Sequence, residues 1–153
     1  MNDLTSRYTE ALMNTFGPPK LALVRGEGTH VWDADGKEYL DFVAGWAVVN
    51  LGHCHPVVTQ AIVEQAGTLL QTSNQYYTVP QLNLAELLIE NSCMDRVFFG
   101  NSGAEANEGA LKLARRYGKL HRDGAYEVIT AFNSFHGRTM ATVAATGQPH
   151  YQE

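Results

Sequence analysis

Cysteine is scarce in this chain: 153 residues contain two, Cys54 and Cys93. Two cannot build a disulfide framework, and so low a count suits a reducing cytosol better than a secreted setting. No run of 18 apolar residues occurs, so no membrane span is expected. The opening MNDLTSRYTE is polar and carries both charge signs, unlike a signal peptide or an Arg-rich transit peptide. A cytoplasmic location is the expectation. Repeats and low-complexity tracts are missing too, which leaves neither a solenoid nor a disordered linker. Basic charge is outnumbered, with 11 Lys and Arg against 16 Asp and Glu, and a net charge of −5 argues against nonspecific nucleic-acid binding. What is present, 44% hydrophobic and 18% charged residues, is the profile of a soluble globular chain. A chain of this size can bury roughly 68–70% of its unfolded surface, so a core needs no staples.

The charge is uneven. Five bases are spread over residues 1–111, whereas Lys112, Arg115, Arg116, Lys119 and Arg122 fall on one predicted helix, where they read as a solvated face. Along the chain, residues 1–20 read as an irregular arm ending at the breakers Gly17-Pro18-Pro19. LALVRG (21–26) and THVWDADGKEYLDF (29–42) read as a small β meander with a turn at Asp33-Ala34-Asp35-Gly36. The glycine-dotted segment 44–56 lacks a clean period and reads as a structured loop. Pro56 opens a helix through about residue 71, with Val57, Val58, Ala61, Ile62, Leu69 and Leu70 as its apolar stripe. A second helix starts at a capping box, Thr78 with Gln81, with Pro80 in its first turn and Leu84, Leu87 and Leu88 following. Beyond these lie a predicted strand RVFFG (96–100), a helix from about 103 to 120 and a strand YEVITAF (126–132), together a βαβ unit with parallel strands. Thr139–Ala145 is open between helix and strand.

Two motifs follow these predicted strands. In NSGAEANEGALKLARR (101–116), Ser102 is a natural N-cap with Glu105 three residues on. Gly103 allows close backbone approach, Ala104 keeps the wall small, and the free N–H groups of a first helical turn favour a phosphate. Ala106, Ala110, Leu113, Ala114 and Tyr117 make a face suited to close packing on a sheet, and Glu108 with Lys112 is an i, i+4 pair for the solvent side. Alone, such an opening reads more readily as a capped helix than as an anion site, and it is neither GxGxxG nor a Walker loop. The second motif, NSFHGRT (133–139), supplies a flat ring at Phe135, a polar neighbour at His136, a close turn at Gly137 and a planar fork for a carboxylate at Arg138. Singly these read as a packed Phe, a hydrogen-bonded His and a surface Arg. Occurring together beyond the carboxyl ends of two strands, where open α/β sheets bind ligands, they favour a site. His53-Cys54-His55 gathers metal-capable side chains, but adjacent residues do not converge on a tetrahedral centre, so no metal is assigned. Trp32 and Trp46 read as packing residues, Trp46 being the better candidate for a ligand contact.

NSGAEANEGALKLAR, followed about thirty residues later by FHGRT and preceded by RGEGTHVWDADGKEYLDFVAGWAVVNLGHCHP, resembles the class III, ornithine-type, pyridoxal-phosphate-dependent aminotransferases of fold type I. The resemblance covers about residues 10–150 and implies an α/β fold: a small α/β segment over residues 1–70, then the start of the large, mostly parallel-sheet cofactor domain over 71–153. It implies pyridoxal 5′-phosphate held by Ser102, Gly103 and Ala104, with Phe135 stacked on the ring, His136 against it, and Arg138 on a substrate carboxylate. It further implies transfer of the δ-amino group of N-acetylornithine to 2-oxoglutarate in arginine biosynthesis, with ornithine, succinylornithine or 4-aminobutyrate as alternative donors. A homodimer is implied as well, with loops 44–53 and 71–78 at the interface. The family's Schiff-base lysine lies far beyond FHGR, and none of Lys20, Lys37, Lys112 and Lys119 matches it. No catalytic residue is therefore assigned. The chain is expected to be the N-terminal part of such an enzyme and inactive by itself, and the reading from another class is a non-catalytic phosphate-binding fragment.

Overall fold

Alternation in β2 is the first thing that places side chains. Side chains of successive strand residues point to opposite faces, and in β2 (His30–Asp33) Val31 and Asp33 are buried while His30 and Trp32 remain partly exposed. The computed structural model describes residues 2–17 and 19–153, so Pro18 of the predicted breaker lies outside the described residues. β1 (Leu23–Glu27), β2 and β3 (Glu38–Leu40) form an antiparallel sheet in that order, with Gly26 opposite Val31 and Val31 opposite Tyr39. The predicted meander and its turn are thus present. Asp33 builds the turn: Oδ1 accepts the N–H groups of Asp35 and Lys37, each at 2.9 Å, and Oδ2 accepts the Tyr39 hydroxyl at 2.8 Å. The Tyr39 hydroxyl, more than the Lys37 N–H, holds the Asp33 carboxyl below its ordinary pKa.

The segment after β3 is anchored by a second aspartate. Asp41 Oδ1 accepts the N–H groups of Val43 (2.8 Å) and Ala44 (2.9 Å), while its Oδ2 lies 2.7 Å from His53 Nε2. An ionised carboxylate only accepts, so Nε2 carries the proton. His53 in turn exchanges both backbone bonds with Gly28, at 2.9 and 2.7 Å. At Gly52 (φ +90°) a Cβ would stand 2.9 Å from the Gly28 Cα, so the two backbones pass only because glycine is there. Between these anchors Ala44, Gly45, Trp46 and Ala47 make a left-handed turn with φ of 49°, 60°, 62° and 60°. For a residue with a Cβ this conformation costs roughly 1–2 kcal/mol, and the Asp41 and His53 bonds are what hold it.

The arm is not irregular as expected: α1 spans Asn2–Ala11. Leu4, Tyr8 and Leu12 recur at helical spacing, and no Gly or Pro interrupts before Gly17. α2 (Pro56–Thr68) begins at Pro56, and α3 (Val79–Glu90) follows the N-cap Thr78. The predicted capping box is not formed, since the Thr78 side chain makes no cap bond. The chain divides into two compact units, residues 1–75 and 76–153.

In the second unit the long helix α4 (Gly103–His121) is as predicted, while Thr139–Ala145 resolves as the N-cap Thr139 and helix α5 (Met140–Ala145), followed by a 3-10 turn at Pro149–Tyr151. Segments 96–100 and 126–132 are not strands among the described residues. A strand is made by bonds to a neighbour, and these two segments do not pair. Both contribute to the lining of an open groove of about 1360 Å³, through Phe98 to Asn101 and through Tyr126, Val128 and Thr130. No helix among the described residues is long and apolar enough to cross a membrane.

The Asp41 pKa is lowered, chiefly by the His53 hydrogen bond and then by the Ala44 and Val43 N–H groups. A depressed carboxyl contributes stability that is complete above its ordinary value near 3.8 and is lost as pH falls through the folded value. Asp41→Asn should therefore lower the urea midpoint at pH 7 and show a shallower further loss than wild type between pH 5 and pH 3, about the acid range for carboxylates. Chemical denaturation at a series of pH values checks it.

Candidate functional site

The start of α4 is specified by residues that stand next to one another in sequence. Ser102 is extended (φ −152°, ψ 162°), and its Oγ accepts the Glu105 N–H at 3.2 Å. The Glu105 carboxylate does not reach back to Ser102 as a capping box requires but accepts the Asn101 N–H, one residue earlier. The Ser102 hydroxyl uses a lone pair in its cap bond, so its proton is available to an anion. The N–H groups of Gly103 and Ala104, in the first turn, have no acceptor four residues back. A Cβ added to Gly103 would meet nothing within 4 Å, so the space before these donors is open. Donors, helix dipole and open space together fit a phosphate group.

The second motif forms the loop between residue 133 and α5, and the structure brings it to the start of α4. Gly137 is buried with φ +134°, and a Cβ there would lie 2.6 Å from Thr142 Oγ1 and 2.8 Å from Ala104 Cβ. The loop is thus wedged between α5 and the cradle-forming turn of α4. Asn107, one helical turn beyond Gly103, donates from Nδ2 to the His136 carbonyl at 2.7 Å. Phe135 is about half exposed and meets Tyr151 edge-on, with ring centroids 5.5 Å apart and an interplanar angle of 66°. The Arg138 guanidinium lies 4.8 Å from the same Tyr151 ring. Tyr151 therefore organises both side chains, a role no sequence signal announced, because it stands alone on a short turn thirteen residues beyond Arg138.

Other assignments need correction. Glu108 is not paired toward solvent with Lys112: its Oε1 accepts the Thr139 hydroxyl and the Ala141 N–H (3.3 Å), satisfying a donor in the first turn of α5. Of the predicted packing face on α4, Ala110 and Ala114 do line a groove of about 410 Å³ with Val128–Ala131 and His136, whereas Leu113 and Tyr117 are exposed. Lys112, Arg115, Arg116 and Lys119 border the larger groove, which includes none of the six site residues. Lys37 stands over the Tyr39 ring at 4.9 Å.

A helix start that fits a phosphate is thus joined to a loop carrying an aromatic ring, a histidine and an arginine. The family "Aminotransferase class-III" matches residues 13–153, and the chain belongs to that family. It is 54% identical over 153 residues to the acetylornithine aminotransferase of Methanocaldococcus jannaschii, an alignment covering 99% of this chain and 37% of that protein. Among solved structures, a thermostable (S)-enantioselective omega-transaminase from Thermomicrobium roseum superposes with a TM-score of 0.90 at 33% identity, over 99% of this chain and 37% of the other. The taurine:2-oxoglutarate aminotransferase of Bifidobacterium kashiwanohense, solved with pyridoxal phosphate and glutamate, gives 0.89 at 30% identity, over 99% and 34%. The chain spans about a third of the length of the curated relatives it matches. Its fold is that of the corresponding segment of a fold type I transferase, as the sequence resemblance implied.

Gly137→Ala adds a Cβ where there is no room and where an L side chain is disfavoured. It should destabilise the second unit by roughly 1–3 kcal/mol, the usual cost of overpacking, measurable as a lowered urea midpoint.

Proposed function

We propose that this chain is part of a pyridoxal-phosphate-dependent aminotransferase that moves the δ-amino group of N-acetylornithine to 2-oxoglutarate in arginine biosynthesis. The observation that carries the reading is the junction of the α4 cradle with the 135–138 loop at Gly137 and Asn107, in a chain 54% identical to an acetylornithine aminotransferase. Ser102, Gly103 and Ala104 hold the cofactor phosphate, Phe135 lies on its ring, His136 stands against it, and Arg138 grips a substrate carboxylate through its planar fork. The cofactor supplies the electron sink, and the protein orients the bond to be broken. The protein acts in the cytoplasm as a homodimer, with loops 44–53 and 71–78 contributing to the interface.

None of the four lysines is placed at the cradle or the 135–138 loop by any described contact, and Lys112 and Lys119 border the larger groove instead. The 153-residue chain by itself is accordingly inactive as a transaminase, and its binding of pyridoxal phosphate is non-covalent. Borohydride treatment with the cofactor should leave no lysine adduct on it, and an adduct found by mass spectrometry overturns this part of the reading.

The complete gene product, assayed with 2-oxoglutarate and N-acetylornithine, ornithine, succinylornithine or 4-aminobutyrate, should prefer N-acetylornithine. A preference for 4-aminobutyrate overturns the substrate assignment. Phe135→Ala should weaken pyridoxal phosphate binding by roughly two- to tenfold, as expected for an aromatic contact worth about 0.5–1.5 kcal/mol. Titration followed by cofactor absorbance checks it, and an unchanged affinity removes the stack.

A further inference from the structure

The loop that carries Phe135, His136 and Arg138 is held by two side chains that no assignment above uses for binding. Thr146, in the residue following α5, has no exposed surface. Its Oγ1 accepts the His136 N–H at 3.0 Å and donates to the Thr142 carbonyl at 2.9 Å. From the other side, Asn107 Nδ2 donates to the His136 carbonyl at 2.7 Å. Both backbone polar groups of His136 are therefore satisfied by side chains, one from α4 and one from the end of α5. Back-bonding of a threonine hydroxyl to the carbonyl four residues earlier is common in helices and by itself marks nothing. The second bond, across ten residues to His136, is what gives this hydroxyl a role in the loop.

The placement has a directional consequence. Asn107 stands one turn along the helix whose first residues form the anion cradle, so its bond fixes His136 relative to the Gly103 and Ala104 N–H groups. Thr146 adds a second tether at the same residue, from the end of α5. We propose that Thr146 and Asn107 are positioning residues that set the ring-facing loop at a fixed distance from the phosphate cradle, an inference that rests on the cofactor reading above. Their role is indirect: the buried Thr146 hydroxyl and the Asn107 amide act through the backbone of His136.

The test compares binding of pyridoxal phosphate with binding of inorganic phosphate to the 153-residue chain by calorimetry. The wild-type chain should bind pyridoxal phosphate more tightly than inorganic phosphate, because the ring adds its own contacts. Thr146→Val keeps the shape and removes the hydroxyl with its bonds to His136, Gly137 and Thr142. It should weaken pyridoxal phosphate binding by about tenfold, the scale of one hydrogen bond, and change phosphate binding by less than about twofold, since the cradle is built by Ser102 and Glu105. Thr146→Ser should restore the wild-type ratio. Asn107→Ala, at a partly exposed site, should reproduce the selective loss and carries the test if the valine variant fails to fold. An unchanged ratio in the variants, or an equal loss of both ligands, overturns the positioning assignment alone. A wild-type chain that binds pyridoxal phosphate no better than phosphate overturns the cofactor reading and this inference with it.

Discussion

A residue whose backbone is drawn away from water must find partners for its N–H and its C=O, and at His136 the partners are side chains rather than backbone. This one requirement ties together most of the second unit. Thr146 meets it from the end of α5, Asn107 from α4, and Gly137 follows in a conformation and a space that leave no room for a Cβ. Gln152 continues the chain of bonds by donating to the Thr146 carbonyl at 2.7 Å, which brings the Pro149–Tyr151 turn under Phe135 and Arg138. Phe135, His136 and Arg138 thereby stand on a loop fixed by neighbouring side chains.

The first unit repeats the device with carboxylates. Asp33 satisfies three donors in one turn, and Asp41 satisfies two N–H groups and the His53 ring. Among the described residues, the buried side chains beyond glycine are accordingly mostly polar: Asp33, Thr142 and Thr146 beside the single apolar Val31. Large apolar side chains such as Trp46, Ile129 and Phe132 lie at the surface of the chain, each more than nine-tenths exposed. Order in this segment comes from directional bonds at a few hinges, which is the right property for holding loops at set distances.

Much of this was legible in advance where the signal is local. Ser102 and Glu105 specify the start of α4, Pro56 starts α2, and Asp33 with Gly36 marks the hairpin turn, since each signal acts within a few residues. The two short motifs were legible as motifs, and the fold brings them together through Ala104, Asn107 and Gly137. Tyr151, Thr146 and Asn107 were not, because each acts on this loop across ten or more residues. Glu108 misled for the same reason: its helical neighbour Lys112 is visible in sequence, while the first turn of α5 that it serves lies more than thirty residues away.

What the sequence determined by itself is therefore the local grammar of helix starts, turns and the two short motifs, together with the family that carries them. Tertiary structure decided the rest. Segments 96–100 and 126–132 have the composition of strands, yet strand character depends on a partner, and in this chain they border a groove instead of pairing. The left-handed turn at Ala44–Ala47 is unfavourable for its own residues and exists because Asp41 and His53 hold its ends. Energies set by nearest neighbours can be read along a chain, whereas bonds and close approaches between distant residues appear only once the chain has returned upon itself.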